Sequence, residues 1–311
     1  PATAHLIGKL IQEAGIPDGV VNIVHGDVAP ATAIIEHPDV TAISFTGSTE
    51  VGRIIEAQCG ALHKPIQCEL GGKNPLLIFS DADLDLAAGA CAKGAFGSTG
   101  QRCTATSRAI VMDDVADAFV AKVLDHAAAV RAGHPLDEAT TMGPSVSEKQ
   151  LAQVLKYMEI GAGEGELRCG GSRLTEGGLA GGYFPAPTVF DGVDASARIA
   201  TEEIFGPVLS VIRVSSVDEA ISVANGVKYG LTGSVFTRDI SHAFQVIERL
   251  ETGMMHVNNP TIGGEAHMPF GGIKATGVGP REMGPDAWKF YSESKTVYIN
   301  HALAARKNNL F

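Results

Sequence analysis

The chain has 311 residues, 45% hydrophobic and 19% charged, an ordinary globular composition with length for one large domain or two of average size. Its net charge of -11 excludes nucleic acid and anionic membrane surfaces as expected partners, and its longest apolar runs fall far short of a membrane span. Five cysteines, at 59, 68, 91, 103 and 169, form no CxxC pair, so neither a disulfide framework nor a metal site is expected, and a reducing, cytoplasmic setting is.

The opening residues PATAHLIGKL hold neither an initiator Met nor a signal peptide, so the chain is expected to be processed or truncated at its N-terminus. Leu6, Ile7, Leu10, Ile11 and Ala14 share one face of a predicted helix, which Gly15 and Pro17 stop. Val20–Val24 is predicted as a strand, Ala31–Glu36 as a helix and Val40–Phe45 as a strand, together a parallel βαβ unit. FTGSTEVG follows at 45–52. Its Gly47–Ser48 turn opens a helix through Cys59, an arrangement that suits an anion. It equally suits an ordinary βα turn capped by Ser48 or Thr49.

Strands are then expected at Pro65–Glu69 and Asn74–Phe79, and an alanine-rich helix at Asp81–Phe96. That helix delivers the chain to FGSTGQRCTATSR, residues 96–108. Cys103 there lies beside a glycine turn and a possible helix start, whose amides favour a thiolate. A small buried hydrophobe is the competing reading of the same cysteine. Beyond it come a strand at Ser107–Met112, a helix at Val115–Arg131, and a helix through Met158 with Ser145 and Glu148 as a capping box. An exposed hairpin region is expected over Gly161–Gly182, with strands at Tyr183–Val189 and Val208–Val214. Ser216 and Glu219 cap a further helix, Gly233–Thr237 is a strand, Ile240–Leu250 a helix, and Met254–Val257 and KTVYIN (295–300) are strands. The alternation predicts an α/β fold with largely parallel sheet and a change of character near Gly71.

FTGSTEVG (45–52), ELGGKNP (69–75), FGSTGQRCTA (96–105), EEIFGPV (202–208) and PFGGIKATGVGPREMG (269–284) together resemble one family, the NAD(P)-dependent aldehyde dehydrogenases. The resemblance covers essentially the whole chain. It implies an aldehyde dehydrogenase-like fold, with the remnant of a Rossmann-type cofactor domain at 1–70 and an α/β catalytic domain at 71–275. A return to the cofactor domain at 276–290 and an oligomerisation strand with its tail at 291–311 complete it. It implies Cys103 as nucleophile and Glu69 as general base, and a glutamate at that position implies the branch that hydrolyses its thioester.

By the same resemblance Gly47 and Ser48 hold a pyrophosphate, Glu203 the nicotinamide ribose, Phe205 packs near the ring, and Leu70 and Gly71 run beside it. The cofactor is NAD or NADP. Arg102, Thr261, Ile262 and Phe270 are expected to line the substrate pocket, Phe270 being equally readable as core. Arg102 would suit a polar aldehyde such as a semialdehyde. Glu282 is expected beside Glu69 on a proton path, and the C-terminal strand is expected to join a neighbouring subunit in a homodimer or homotetramer.

The family's KPAE-like segment and its oxyanion-hole asparagine lie upstream of Pro1, so the NAD-selecting residues are absent from this sequence. These 311 residues alone are therefore expected to be nearly inactive, since one lost oxyanion donor costs roughly 10²–10³ in rate. A reductive acyl-phosphate or acyl-CoA relative, and a non-catalytic module assembling through KTVYIN, are the alternatives.

Overall fold

The computed structural model describes residues 2–300. Helices α1 (Ala2–Glu13) and α2 (Val28–Glu36) precede strand β1 (Ile43–Thr46), helix α3 (Thr49–Ala61) and strand β2 (Ile66–Glu69). Then come β3 (Asn74–Ile78), α4 (Leu84–Phe96), β4 (Thr106–Met112), α5 (Asp113–Ala129), α6 (Glu148–Gly161), β5 (Glu166–Cys169) and β6 (Thr188–Asp191). After α7 (Arg198–Thr201) follow β7 (Val208–Val214), α8 (Val217–Asn225), β8 (Tyr229–Gly230), β9 (Thr232–Phe236), α9 (Ile240–Arg249) and β10 (Met254–Val257). Two short strands, β11 (Ile273–Lys274) and β12 (Gly277–Val278), and helix α10 (Gly284–Phe290) complete the described elements.

A seven-stranded sheet runs in the order β10-β9-β3-β4-β7-β6-β5. Every neighbouring pair in it is parallel except β5 with β6, whose second strand lies beyond the hairpin region expected over Gly161–Gly182. A parallel sheet must be covered on both faces, because successive side chains point to opposite sides. Leu76 and Ile78 of β3 accordingly pack with Val111, Val211 and the helices α4 and α5. Leu77 and Phe79 pack on the other face with Ile110, Ile212 and the helices α6, α8 and α9. The alanines of α4 let it lie close on α5.

A second sheet has the order β1-β2-β12, with β1 parallel and β12 antiparallel to β2. Sheet membership changes between Glu69 and Asn74, across only Leu70–Lys73, and the chain returns to the three-stranded sheet at Gly277.

Ser48 caps α3, accepting from the Val51 N–H, and Ser216 caps α8, accepting from the Glu219 N–H, as their spacing predicts. Elsewhere the structure corrects the expectation. Val20–Val24 forms no strand: Val20 and Val24 are 66% and 64% exposed, so the βαβ unit is β1-α3-β2 instead. Strand β6 lies at Thr188–Asp191 rather than at Tyr183–Val189, because the chain pairs with β7 only from Thr188 onward. Ser147, not Ser145, caps α6; the hydroxyl of Ser145 is buried without a partner. KTVYIN forms no strand, with Tyr298 93% exposed, and residues 301–311 of the expected tail lie outside the described residues. Helix α1 forms as the periodicity predicts, yet none of its residues is buried among the described residues.

Candidate active site

Helix α4 ends at Phe96, and three left-handed residues follow: Ser98 (φ 52°), Thr99 (φ 59°) and Gly100 (φ 64°). For the two that carry a Cβ this conformation costs about 1–2 kcal/mol each. Side chains hold the turn in place. Thr99 Oγ1 donates to the Gly143 carbonyl at 2.8 Å, Gln101 Nε2 to Pro144 at 3.2 Å, and the Val146 N–H donates back to Gln101 Oε1 at 2.8 Å. A Cβ at Gly100 would collide with the Gly206 carbonyl, so this turn and the EEIFGP loop touch backbone to backbone.

Cys103 then lies in a turn closed by Ala105 N–H to Arg102 O, just before β4. The expected helix start is absent: α4 lies behind the cysteine, not ahead of it. Burial pushes the half-buried thiol up. The N–H groups of Thr104 and of Cys103 itself pull it down, and the carboxylates of Glu69 and Glu203 push it further up.

Glu69 ends β2, opposite Thr46 on one side and Gly277 on the other. It is 6% exposed, and its Oε2 has no hydrogen-bond partner. Burial raises its pKa to about 7; the Glu282 carboxylate adds to this, and Arg281 and the Glu282 N–H oppose it. Glu282 is held there by reciprocal backbone bonds with Phe270 (2.6 and 2.8 Å), and a Cβ at Gly271 would collide with Glu69 Oε1. PFGG and PREMG thus form the wall behind this carboxyl. On its other side the Gly47 N–H donates to the Glu69 carbonyl at 3.1 Å, tying the turn before α3 to the same residue.

Glu203 reaches the linker between the sheets. Its Oε1 accepts the Gly72 N–H at 3.0 Å, and the carboxylate fills the space a Cβ on Gly71 would need. Burial raises its pKa, while that N–H and the charges of Lys73 and Lys228 lower it. Phe205, at φ 55°, is pinned by Gln150 Nε2, which donates to the carbonyls of Ile204 (3.1 Å) and Phe205 (2.9 Å). Gly72, Arg102, Glu203 and Phe205 line a small cavity of about 20 Å³.

The linker Leu70–Lys73 therefore gathers Glu69, Leu70, Gly71, Cys103 and Glu203, with Gly47, Ser48, Phe270 and Glu282 around Glu69. The expected pocket residues divide differently. Arg102 is exposed at the rim, its Nε donating to Ser98 Oγ at 2.9 Å. Ile262 is buried. Thr261, fully buried, is scaffold rather than pocket lining: its hydroxyl donates to the Thr104 carbonyl at 2.7 Å and meets Thr106 Oγ1 at 2.8 Å. Two buried residues of ELGGKNP escaped the sequence reading. Asn74 donates to the carbonyls of Cys103 and Ala105, and Lys73 Nζ has no hydrogen-bond partner. The available signal was a polar pair at the head of an otherwise apolar strand.

The model of the aldehyde dehydrogenase family matches residues 1–297. The chain belongs to the aldehyde dehydrogenase family. It is 42% identical over 302 residues to an alpha-ketoglutaric semialdehyde dehydrogenase of Bacillus subtilis, covering 96% of this chain and 62% of that protein. It is 43% identical over 304 residues to an alpha-ketoglutarate semialdehyde dehydrogenase of Haloferax volcanii, covering 97% and 63%. The structure of an NAD-dependent aldehyde dehydrogenase from Sinorhizobium meliloti superposes with a TM-score of 0.92 at 39% identity, over 98% of this chain and 60% of that one. This member of the aldehyde dehydrogenase family thus has the family's fold and spans about three fifths of the length of these relatives.

Proposed function

We propose that this chain carries the machinery for oxidising an aldehyde to a carboxylic acid with NAD(P)⁺. The observation that supports this best is the convergence of Cys103, Glu69 and Glu203 on the four-residue linker between the two sheets. The Cys103 thiolate adds to the aldehyde carbonyl, forming an S–C bond and an alkoxide. The neighbouring N–H groups of Cys103 and Thr104 favour that thiolate. A nicotinamide dinucleotide held by Gly47, Ser48 and Glu203 would supply the hydride acceptor, and loss of hydride from the alkoxide would leave a thioester on Cys103. Glu69 takes a proton from water, the water oxygen bonds the acyl carbon, and the C–S bond breaks to release the acid and the Cys103 thiolate.

The residues present fit the cofactor's demands. The α3 N-terminus, with Ser48 as cap and Gly47 exposed, suits a pyrophosphate, and Glu203 presents a carboxylate to ribose hydroxyls beside Gly71, with Leu70 and Phe205 near it. Phe270 stays assigned to the wall of the site and Glu282 to the carboxyl beside Glu69.

The substrate we favour is a semialdehyde. Two relatives carry that name, and Arg102 at the rim could receive its carboxylate. Residues 1–70 and 276–290 are assigned to the cofactor side, 71–275 to the nucleophile side, and the exposed Val297, Tyr298 and Ile299 to pairing with another subunit in a homodimer or homotetramer. Among the described residues no helix is long and apolar enough to cross a membrane, and five free thiols suit a cytoplasmic setting.

The test is alkylation of Cys103 in the purified chain with and without NAD⁺ or NADP⁺. Protection of Cys103 by either dinucleotide supports the reading; a Cys103 indifferent to both removes it. Release of free carboxylate without coenzyme A or phosphate then separates hydrolysis from acyl transfer.

A further inference from the structure

Three consecutive carbonyls in the nucleophile's turn are each taken by a buried side chain. Asn74 Nδ2 donates to Cys103 O and to Ala105 O, both at 2.8 Å, and Thr261 Oγ1 donates to Thr104 O at 2.7 Å. Neither side chain has freedom to do otherwise. Asn74 is 2% exposed and its Oδ1 accepts the Thr232 N–H at 3.4 Å, which fixes the orientation of the amide. Thr261 is fully buried, and its single hydroxyl proton goes to Thr104 O, so Thr106 Oγ1 must donate to Thr261 Oγ1. Gly72 makes the reach possible: a Cβ there would stand 2.7 Å from Cys103 O and 2.8 Å from Asn74 Oδ1.

We propose that Asn74 and Thr261 are positioning residues that hold the carbonyls of Cys103, Thr104 and Ala105, and so turn the N–H groups of Cys103 and Thr104 toward the Cys103 sulfur. The plane of the Cys103 carbonyl carries the Thr104 N–H; the plane of the Thr104 carbonyl carries the Ala105 N–H, which donates to the Arg102 carbonyl and so fixes the plane that carries the Cys103 N–H. Burial raises the pKa of the Cys103 thiol, and these two N–H groups pull it down. The proposal rests on Cys103 being the nucleophile. The activation that a helix start was expected to supply comes instead from a turn whose far side is bolted to β3 and to the loop after β10.

The rate of Cys103 alkylation by iodoacetamide, resolved by peptide mass spectrometry across pH 6–10, tests this in the 311-residue chain. Glu69 and Glu203, the charged groups acting on the sulfur, are untouched by the variants. Asn74→Ala and Thr261→Val should each move the midpoint of the profile upward and slow alkylation at pH 8 by about tenfold, the worth of a lost hydrogen bond. Thr261→Ser, which keeps the hydroxyl, should alkylate like the unsubstituted chain. Folded Asn74→Ala with an unchanged profile overturns the proposal. Should Asn74→Ala fail to fold, the Thr261 pair decides: a slow Val with a normal Ser upholds it, and equal behaviour of the two overturns it. A Cys103 in the unsubstituted chain no more reactive than the buried Cys91 overturns the nucleophile reading itself, and this proposal falls with it.

Discussion

Glu69 is costly to keep charged, and the cost has a measurable sign. Its carboxyl is raised from 4.5 to about 7, chiefly by burial. The folded protein therefore holds this proton more tightly than the unfolded chain does. Its contribution to stability is full below pH 4.5 and is lost as pH rises through about 7. Glu69→Gln, neutral and of similar shape, should be more stable than the unsubstituted chain at pH 8, by on the order of 1–3 kcal/mol, and close to it at pH 5. Thermal midpoints by circular dichroism at the two pH values check this; an equal difference at both would sink the argument. In a catalytically competent form, hydrolysis should fall about tenfold per pH unit below the same midpoint, as the base is lost to protonation.

Lys73 is a second buried ionisable group, lowered to about 7 by burial and by Arg108, against the pull of Glu203 and Glu202. The unfolded chain binds this proton more tightly, so stability rises with pH from about 7 toward 10.5. Lys73→Met should therefore raise the thermal midpoint at pH 7 and lose that advantage by pH 10. A midpoint lowered at both would show that the ammonium is held by more than burial.

At the scale of elements, the two loops of the site meet through glycine. Gly100 sits at φ 64° with the Gly206 carbonyl where a Cβ would go. Gly100→Ala must therefore either strain the backbone or part the cysteine turn from the EEIFGP loop, and should cost at least about 2 kcal/mol in urea unfolding. A variant within 0.5 kcal/mol, roughly surface-like in cost, would show that the two loops part freely. Elements with local signals were the readable ones. Ser48 and Ser216 cap because a hydroxyl followed by a free N–H two or three residues on is a local event. Ser147 displaced Ser145 by only two residues, within a stretch where both hydroxyls precede the same helix. Val20–Val24 and KTVYIN have strand composition yet form no strand, since composition alone does not make a ladder.

For the whole molecule, stability is unevenly spread. The seven-stranded sheet is covered on both faces, while α1 buries nothing and Leu6, Leu10, Val20 and Val24 stand exposed. Hydrogen exchange of the 311-residue chain should therefore show amides of residues 2–28 exchanging first and those of β3, β4, β7 and β9 last. Uniform protection across both regions would contradict this.

What the amino-acid sequence determined by itself was the class of fold and the family, since these rest on periodicity and on short runs of particular residues. Cys103, Glu69 and Glu203 were nameable because each sits in such a run. Tertiary structure decided how they meet. Thirty-four positions separate Glu69 from Cys103, and only the change of sheet across Leu70–Lys73 brings their loops together. It also decided that the buried Thr261 bonds the Thr104 carbonyl and that the buried Asn74 bonds the carbonyls of Cys103 and Ala105. The physical reason is the same in each case: a buried hydrogen bond is satisfied by whatever the fold places opposite it, and that partner is distant in the chain.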